Sequence, residues 1–191
     1  MSTKFQVRGG LAKAALREAL QQVPDAADRL PRAALLALQQ AGSLDWVSGD
    51  EFLSLFGELR RAIGEERFRG IWRTSWGGWL QGPVVKGFLE PVLQAIGVGP
   101  GAIFRMGAFA SELAARGFGT LHVDTPDGEV VLRLSGVPAE LIEGGTFASM
   151  VAGALCSALD QAGVVGAVEI ETADAPRGLL TIRSRYRAAT V

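Results

Sequence analysis

Residues Gly119–Leu134, GTLHVDT-PDG-EVVLRL, and Ala167–Arg187, AVEIET-ADAPRG-LLTIRSRYR, decide the fold. Each alternates apolar and polar residues on both sides of a Pro/Gly-containing turn, the pattern of a β-hairpin with one covered face. Between them the chain from about Pro138 to Gln161 has helical periodicity and is rich in small residues. The order β-β-α-β-β predicts a four-stranded antiparallel sheet beside one long helix. Leu121, Val123, Val130, Leu132, Leu134, Val168, Ile170, Leu180, Ile182 and Tyr186 fall on the apolar face. His122, Asp124, Val131, Arg133, Glu169, Glu171, Arg183, Arg185 and Arg187 fall on the other. Glu169 and Glu171 are placed to pair across the final hairpin with Arg183 and Arg185, each contact adding roughly 0.2–1 kcal/mol. That row reads as a solvated charged face, with an anion site at Arg183 and Arg185 as the competing reading.

Ahead of the sheet the periodicity is helical. Helices are predicted at about Leu11–Val23, stopped by Pro24, and at Arg32–Gln40. After a turn, GSLDWVSGD, Ser48 and Glu51 have capping-box spacing and introduce an apolar stripe of Phe52, Leu55, Phe56, Leu59 and Ile63. Glu65–Leu80 continues with Phe68, Ile71, Trp72, Trp76 and Trp79, its end weakened by Gly77-Gly78. Pro83–Ile96 reads as a helix kinked by Pro91, Gly97–Gly101 as a linker, and Ala102–Arg116 as a helix closed by Gly117. The expected class is therefore α+β, an N-terminal helical layer (1–117) followed by the β-β-α-β-β unit (118–191). Without a long polar linker, the two halves are expected to form a single domain over 1–191.

Composition narrows the function. Of the 191 residues, 48% are hydrophobic, enough for a sizeable core, and the net charge of −1 predicts no pull toward nucleic acid. The N-terminal stretch has no apolar signal region and the chain has no long apolar run, so a cytoplasmic protein without a membrane span is expected. One histidine and one cysteine argue against a zinc site, and no metal is expected.

The long helix carries two stripes. Phe147, Met150, Val151, Ala154, Leu155 and Ala158 are apolar; Gly145, Ser149, Ala152 and Cys156, almost opposite, are small. The sheet can cover one. The N-terminal helices or a second subunit would cover the other. Trp72, Trp76 and Trp79, joined by Trp46, read as core, or as the wall of a ligand pocket or interface. The arginines around them (Arg60, Arg61, Arg67, Arg69, Arg73) are diluted by Glu58, Glu65 and Glu66 and read as a solvated face. His122, with Asp124 nearby on the same strand face, could act as a general base, but no nucleophile motif accompanies them and an exposed strand histidine is the favoured reading. Cys156 could be a modifiable thiol, although its neighbours in sequence suit an inert, buried one. The glycines of GVGPGA and RGFGT lack phosphate-loop spacing.

The segments GGTFASMVAGALCSALDQAG and VEIETADAPRGLLTIRSRY resemble the C-terminal unit of 4-vinyl reductase domains and, more distantly, the transport-particle (TRAPP) fold and heme-nitric-oxide-binding domains. Together with VRGGLAKAALREAL, FRMGAFASELAARGFGT and LRLSGVPAELIEGGTF, the whole chain is similar to roughly 200-residue myxobacterial paralogues of single-domain length. The resemblance implies a small α+β sensor or adaptor. The cysteines typical of 4-vinyl reductase domains are missing, with Gly144-Gly145-Thr146 at the helix start and no cysteine between Thr172 and Leu180. Heme-binding relatives use an axial helix histidine and a Y-x-S-x-R motif. His122 lies on a predicted strand and R-S-R-Y-R does not match, so no heme or other cofactor is expected. The leading expectation is a non-enzymatic module that binds a small apolar ligand or a protein partner, with a homodimer or partner-bound subunit expected, and with Trp72, Trp76, Trp79, Phe147, Met150 and Cys156 as ligand or interface residues. The alternatives are an enzyme of unfamiliar type and a structural dimer or scaffold subunit.

Overall fold

The computed structural model describes residues 4–82, 85–87, 91 and 99–188. Strand β1 (Gln6–Arg8) leads into helices α1 (Gly9–Gln22) and α2 (Arg32–Gln40), with a 3-10 turn at Pro24–Arg29 between them. Strand β2 (Trp46–Ser48) precedes α3 (Gly49–Ile63) and α4 (Glu65–Leu80). Helix α5 (Pro100–Ala114) runs directly into β3 (Ala115–Arg116). Strands β4 (Thr120–Asp124) and β5 (Glu129–Ser135), the short helix α6 (Ala139–Ile142), α7 (Thr146–Gln161), and strands β6 (Val164–Asp174) and β7 (Leu179–Ala188) complete the described chain. The expected α+β architecture is what forms. The predicted helix over Pro83–Ile96 lies mostly outside the described residues, and Pro100-Gly101 of the expected linker opens α5.

The main sheet has the antiparallel order β4-β5-β7-β6. Its apolar face packs under α7, and one buried cluster runs from Phe5 through the helices to Ile182. The charged face follows a modified register. A bulge between Ile170 and Thr172 shifts the pairing, so Arg183 reaches Glu171 at 3.2 Å and Glu129 of β5 at 3.3 Å. Arg185 turns to Glu129 at 3.4 Å.

Three local expectations are corrected. A second sheet, β2-β1-β3, was not foreseen; Trp46–Ser48 had read as turn and Ala115–Arg116 as helix. These strands are too short to show alternation, and Arg8 and Trp46 are cross-strand partners that only tertiary pairing brings together. Ser48 makes no side-chain cap, because it is a strand residue opposite Gln6, and the Gly49 N–H donates to the Phe5 carbonyl at 2.9 Å instead. The helix expected from Pro138 to Gln161 is broken after α6, where Gly144 and Gly145 take left-handed φ values of 77° and 71°. Helix α4 spans Glu65–Leu80 as expected, running through Gly77-Gly78.

Gly77 has a packing reason. Helix α4 lies along the small side of α7 in the same direction, through Ser149, Gly153 and Ser157, residues four apart on one ridge. A Cβ on Gly153 would stand 2.7 Å from both the Arg69 carbonyl and the Trp72 Cβ, and one on Gly77 would stand 2.9 Å from Ser157 Oγ. Polar contacts fix the register at both ends. Ser149 Oγ donates to Glu65 at 2.6 Å, and Arg73 forks onto Asp160 at 2.6 and 2.5 Å. Burial pushes the Glu65 carboxyl up, but donors from Ser149, Arg60 and Arg69 outweigh it and hold the group below the ordinary carboxylate range. Above α4, Trp72 meets Phe52 and Phe56 of α3 edge-on at 5.9 and 5.3 Å.

Gly153→Ala is expected to destabilise the protein by about 1–3 kcal/mol in urea unfolding, because the contacted groups are backbone and Cβ and cannot step aside. Gly70→Ala, on α4 with nothing near its missing Cβ, is expected to be neutral or to stabilise by about 0.4–1 kcal/mol. Equal effects at the two sites would contradict the close-packed interface.

Candidate functional site: an apolar cavity between α5, α7 and the sheet

With α4 on its small side, α7 turns its apolar stripe toward α5 and the inner face of β4 and β5. The two layers do not close completely. A cavity of about 110 Å³ remains, lined on the α7 side by Phe147, Met150, Val151, Ala154, Leu155 and Ala158. Helix α5 faces them with Phe104 and the small residues Gly107, Ala108, Ser111 and Ala114. Leu121, Leu132 and Leu134 form the floor on the sheet, and Val7, Ala115 and Phe118 one end. Trp72 and Trp76 enter the wall from α4. The space exists because α5 presents side chains too short to reach α7. Their i, i+4, i+7 spacing (Gly107, Ser111, Ala114) is a legible sequence signal that had gone unread.

The lining is almost wholly apolar. Ser111 Oγ donates to the Ala108 carbonyl at 2.6 Å and is satisfied within its own helix. Trp72 is 2% exposed, and its indole N–H has no hydrogen-bond partner among the described residues.

The structure brings four of the expected site residues to this cavity: Trp72, Trp76, Phe147 and Met150. Trp79 is half-buried and stacks on Trp76 at 5.4 Å. Trp46 is elsewhere, against the guanidinium groups of Arg8 and Arg116 at 3.7 and 4.4 Å. The exposed aromatic surface that suggested an added interface is not present at Trp72 and Trp76, which are buried. Of the small stripe of α7, Ser149 and Ala152 are buried, Ser149 against Glu65 of α4, whereas Gly145 and Cys156 are half-buried. Cys156 lies on α7 outside the lining, half-buried; burial pushes its thiol up, and Arg73 offsets this only in part. Arg183 and Arg185 are engaged by Glu129 and Glu171, and Asp124 by Arg133. His122 is exposed on the outer face of β4. Among the described residues no cluster of three His, Cys, Asp or Glu side chains could hold a metal, and no helix is long and apolar enough to cross a membrane.

No protein-family profile matches the chain, and no curated protein matches it in sequence. Its fold, however, is that of H-NOX domains. The Fe(II) unliganded H-NOX protein from K. algicida superposes with a TM-score of 0.62 at 10% identity, over 96% of this chain and 98% of that one. An oxygen-binding H-NOX domain related to soluble guanylate cyclases, solved as its oxygen complex, gives 0.58 at 11% identity, over 96% and 97%. A structure probing heme distortion in the H-NOX family gives 0.54 at 12% identity, over 95% and 96%. At such identities the likeness is one of fold.

The fold neighbours raise the question of heme, and the residues here do not fit it. Heme iron needs an axial donor such as histidine, cysteine or tyrosine, or methionine beside a histidine. The single His122 is on the far side of the sheet, and neither Cys156 nor the single Tyr186 lines the cavity. Met150 alone contributes a sulfur. The volume, about 110 Å³, is on the scale of the ~150 Å³ cavities that hold benzene, a molecule far smaller than a porphyrin.

Two outcomes are expected. Hemin added to the purified protein gives no saturable one-site Soret band, and His122→Ala changes nothing in that titration; a stoichiometric band lost in His122→Ala would contradict the misfit. Cys156 reacts with iodoacetamide more slowly than free cysteine at neutral pH, its rate climbing only above the ordinary thiol range because the raised value keeps it protonated. A neutral-pH rate matching free cysteine would contradict that burial.

Proposed function

We propose that this protein is a heme-free, non-enzymatic sensor or adaptor module whose cavity takes a small apolar molecule. The observation that carries the reading is the cavity itself, a nearly all-apolar space bounded by α1, α4, α5, α7 and strands of both sheets. Apolar cavities of this kind exclude water and accept apolar guests of matching size. A guest there touches α4, α5, α7 and the sheet at once, so its presence favours whichever relative placement of these layers fits it, which is how binding becomes a signal. The H-NOX fold supports the same reading by analogy of architecture alone. Such a module reports to a partner, a second copy of this chain or another protein, in the cytoplasm. The further likeness of the C-terminal unit to 4-vinyl reductase and transport-particle domains, and of the chain to myxobacterial paralogues, rests on the sequence pattern quoted above.

Cyclopentane is a suitable probe. At about ten times its dissociation constant it is expected to raise the melting temperature by about 3–6 °C. Ala154→Leu, which extends a side chain into the space, is expected to abolish the shift while the variant remains folded. An unchanged wild-type melting temperature at saturation, or an undiminished shift in Ala154→Leu, would overturn the reading.

A further inference from the structure

We propose that the outer edge of β6 is a docking site for an extended peptide segment of a partner protein. The segment adds to the main sheet as a fifth strand, with a basic residue opposite Glu169 and an acidic one within reach of Arg187. This goes beyond the cavity reading and does not depend on it. Strand β6 ends the order β4-β5-β7-β6 and, among the described residues, pairs only with β7. Alternate N–H and carbonyl groups along it therefore face away from the sheet, with no backbone partner among the described residues. Proteins guard such edges with short strands, lysine, proline, bulges or charges turned inward. The opposite edge, β4, is only 5 residues long, and its Asp124 is held by Arg133 of β5. Strand β6 has 11 residues. From Val164 to Ile170, ahead of its bulge, it carries no lysine, no proline and no charge on the inner face. Val165, on the outer face, is a large apolar side chain left 55% exposed.

The charges choose the occupant. Asp124, Glu129, Arg133, Glu171, Asp174, Arg183 and Arg185 all have ion-pair partners within the sheet or its turns. Glu169 and Arg187 are exposed and, among the described residues, have none. Glu169 stands on the edge strand itself. Arg187 lies across from Val165 on β7, where a shallow cleft over Val165, Gly166 and Ala167 gives its long side chain a path outward. The edge is basic near its start and acidic toward its bulge. An antiparallel segment meets both charges with a lysine or arginine opposite Glu169 and, four residues later in its own chain, an acid opposite Val165. Its intervening residues lie beside the half-buried Val164, Val168 and Ile170 and should be apolar. The main-chain ladder supplies the affinity, and the two charge pairs set the register. A second copy of this chain has the same order of charges but brings a helix with it. Helix α7 packs over β6, so the copy's α7 would arrive one strand spacing away, about 4.8 Å, where packed helices need about 8–10 Å. A lone strand carries no such layer.

The probe is a fluorescein-labelled, end-capped peptide, Thr-Lys-Val-Thr-Val-Glu-Thr, titrated into the full chain at low salt and read by anisotropy. Saturable binding is expected, with slower hydrogen exchange at alternate amides between Val164 and Ile170. Two versions N-methylated on alternate residues, one in each phase, test the ladder. The phase that faces β6 should abolish binding, and the phase that faces solvent should leave it. Glu169→Lys, at an exposed position without an ion pair, should weaken the peptide about three- to tenfold. That variant should recover the affinity for the peptide in which glutamate replaces lysine. No saturable binding, or equal binding by both N-methylated versions, would overturn strand addition. Unchanged affinity in Glu169→Lys would overturn the charge assignment. A dimer in light scattering that Glu169→Lys returns to monomer would overturn the peptide partner as well, because a second copy would then fill the edge.

Discussion

The contact on which the rest depends is the one between α4 and α7 at Gly153. With hydrogen as its side chain, Gly153 lets the Trp72 Cβ and the α4 backbone come close, and Ser149 and Ser157 keep the same ridge low along its length. Because α4 occupies that side, the bulkier stripe of α7 must look the other way, toward α5 and the sheet. Trp72, pinned between α3 and α7, is thereby set at the edge of the space between these layers. The Glu65 and Arg73 contacts hold the register but are partly exposed, so they add less than the packing does.

The helical stripes of α3 and α4 and both hairpins were legible because each is long enough to show its period several times. The stripe from Phe147 to Ala158 was also visible, as were the tryptophans of α4. What could not be read was a difference of volumes. The cavity depends on Gly107, Ala108, Ser111 and Ala114 facing Ala154 and Ala158 from another part of the chain, and periodicity in one segment says nothing of the partner opposite. The three short strands failed for a related reason, since Gln6–Arg8 becomes a strand only by pairing with residues on both sides of the helical layer. Gly144-Gly145 interrupts an otherwise continuous helical pattern, and only its left-handed backbone shows where the helix restarts.

The likeness to H-NOX domains and the misfit to heme belong together. A fold is kept by its layers, while a prosthetic group is kept by a few donors placed inside them. Here the layers are present, and the lining has been filled with Phe, Leu, Val, Ala and Met, leaving a pocket of small-molecule rather than macrocycle dimensions. The charged outer face is a separate matter; there Arg183 pairs with Glu129 and Glu171, and Arg185 with Glu129.

The small sheet β2-β1-β3 bears on how the chain is made. Strand β1 meets β2 from the near side of the helical layer and β3 from its far end. On a ribosome, β1 and β2 can join early, but β3 emerges only after α3, α4 and α5 have been synthesised. Closing so long a loop is entropically slow and is repaid only when the whole layer is in place. Val7 and Ala115, which sit side by side across β1 and β3, also form one end of the cavity. The sheet floor and the α7 side follow β3 in the chain, so a nascent chain stalled before β3 holds only the β1, α1, α4 and α5 part of the walls, uncovered by the layers that later close over it, the form in which a chaperone would meet it.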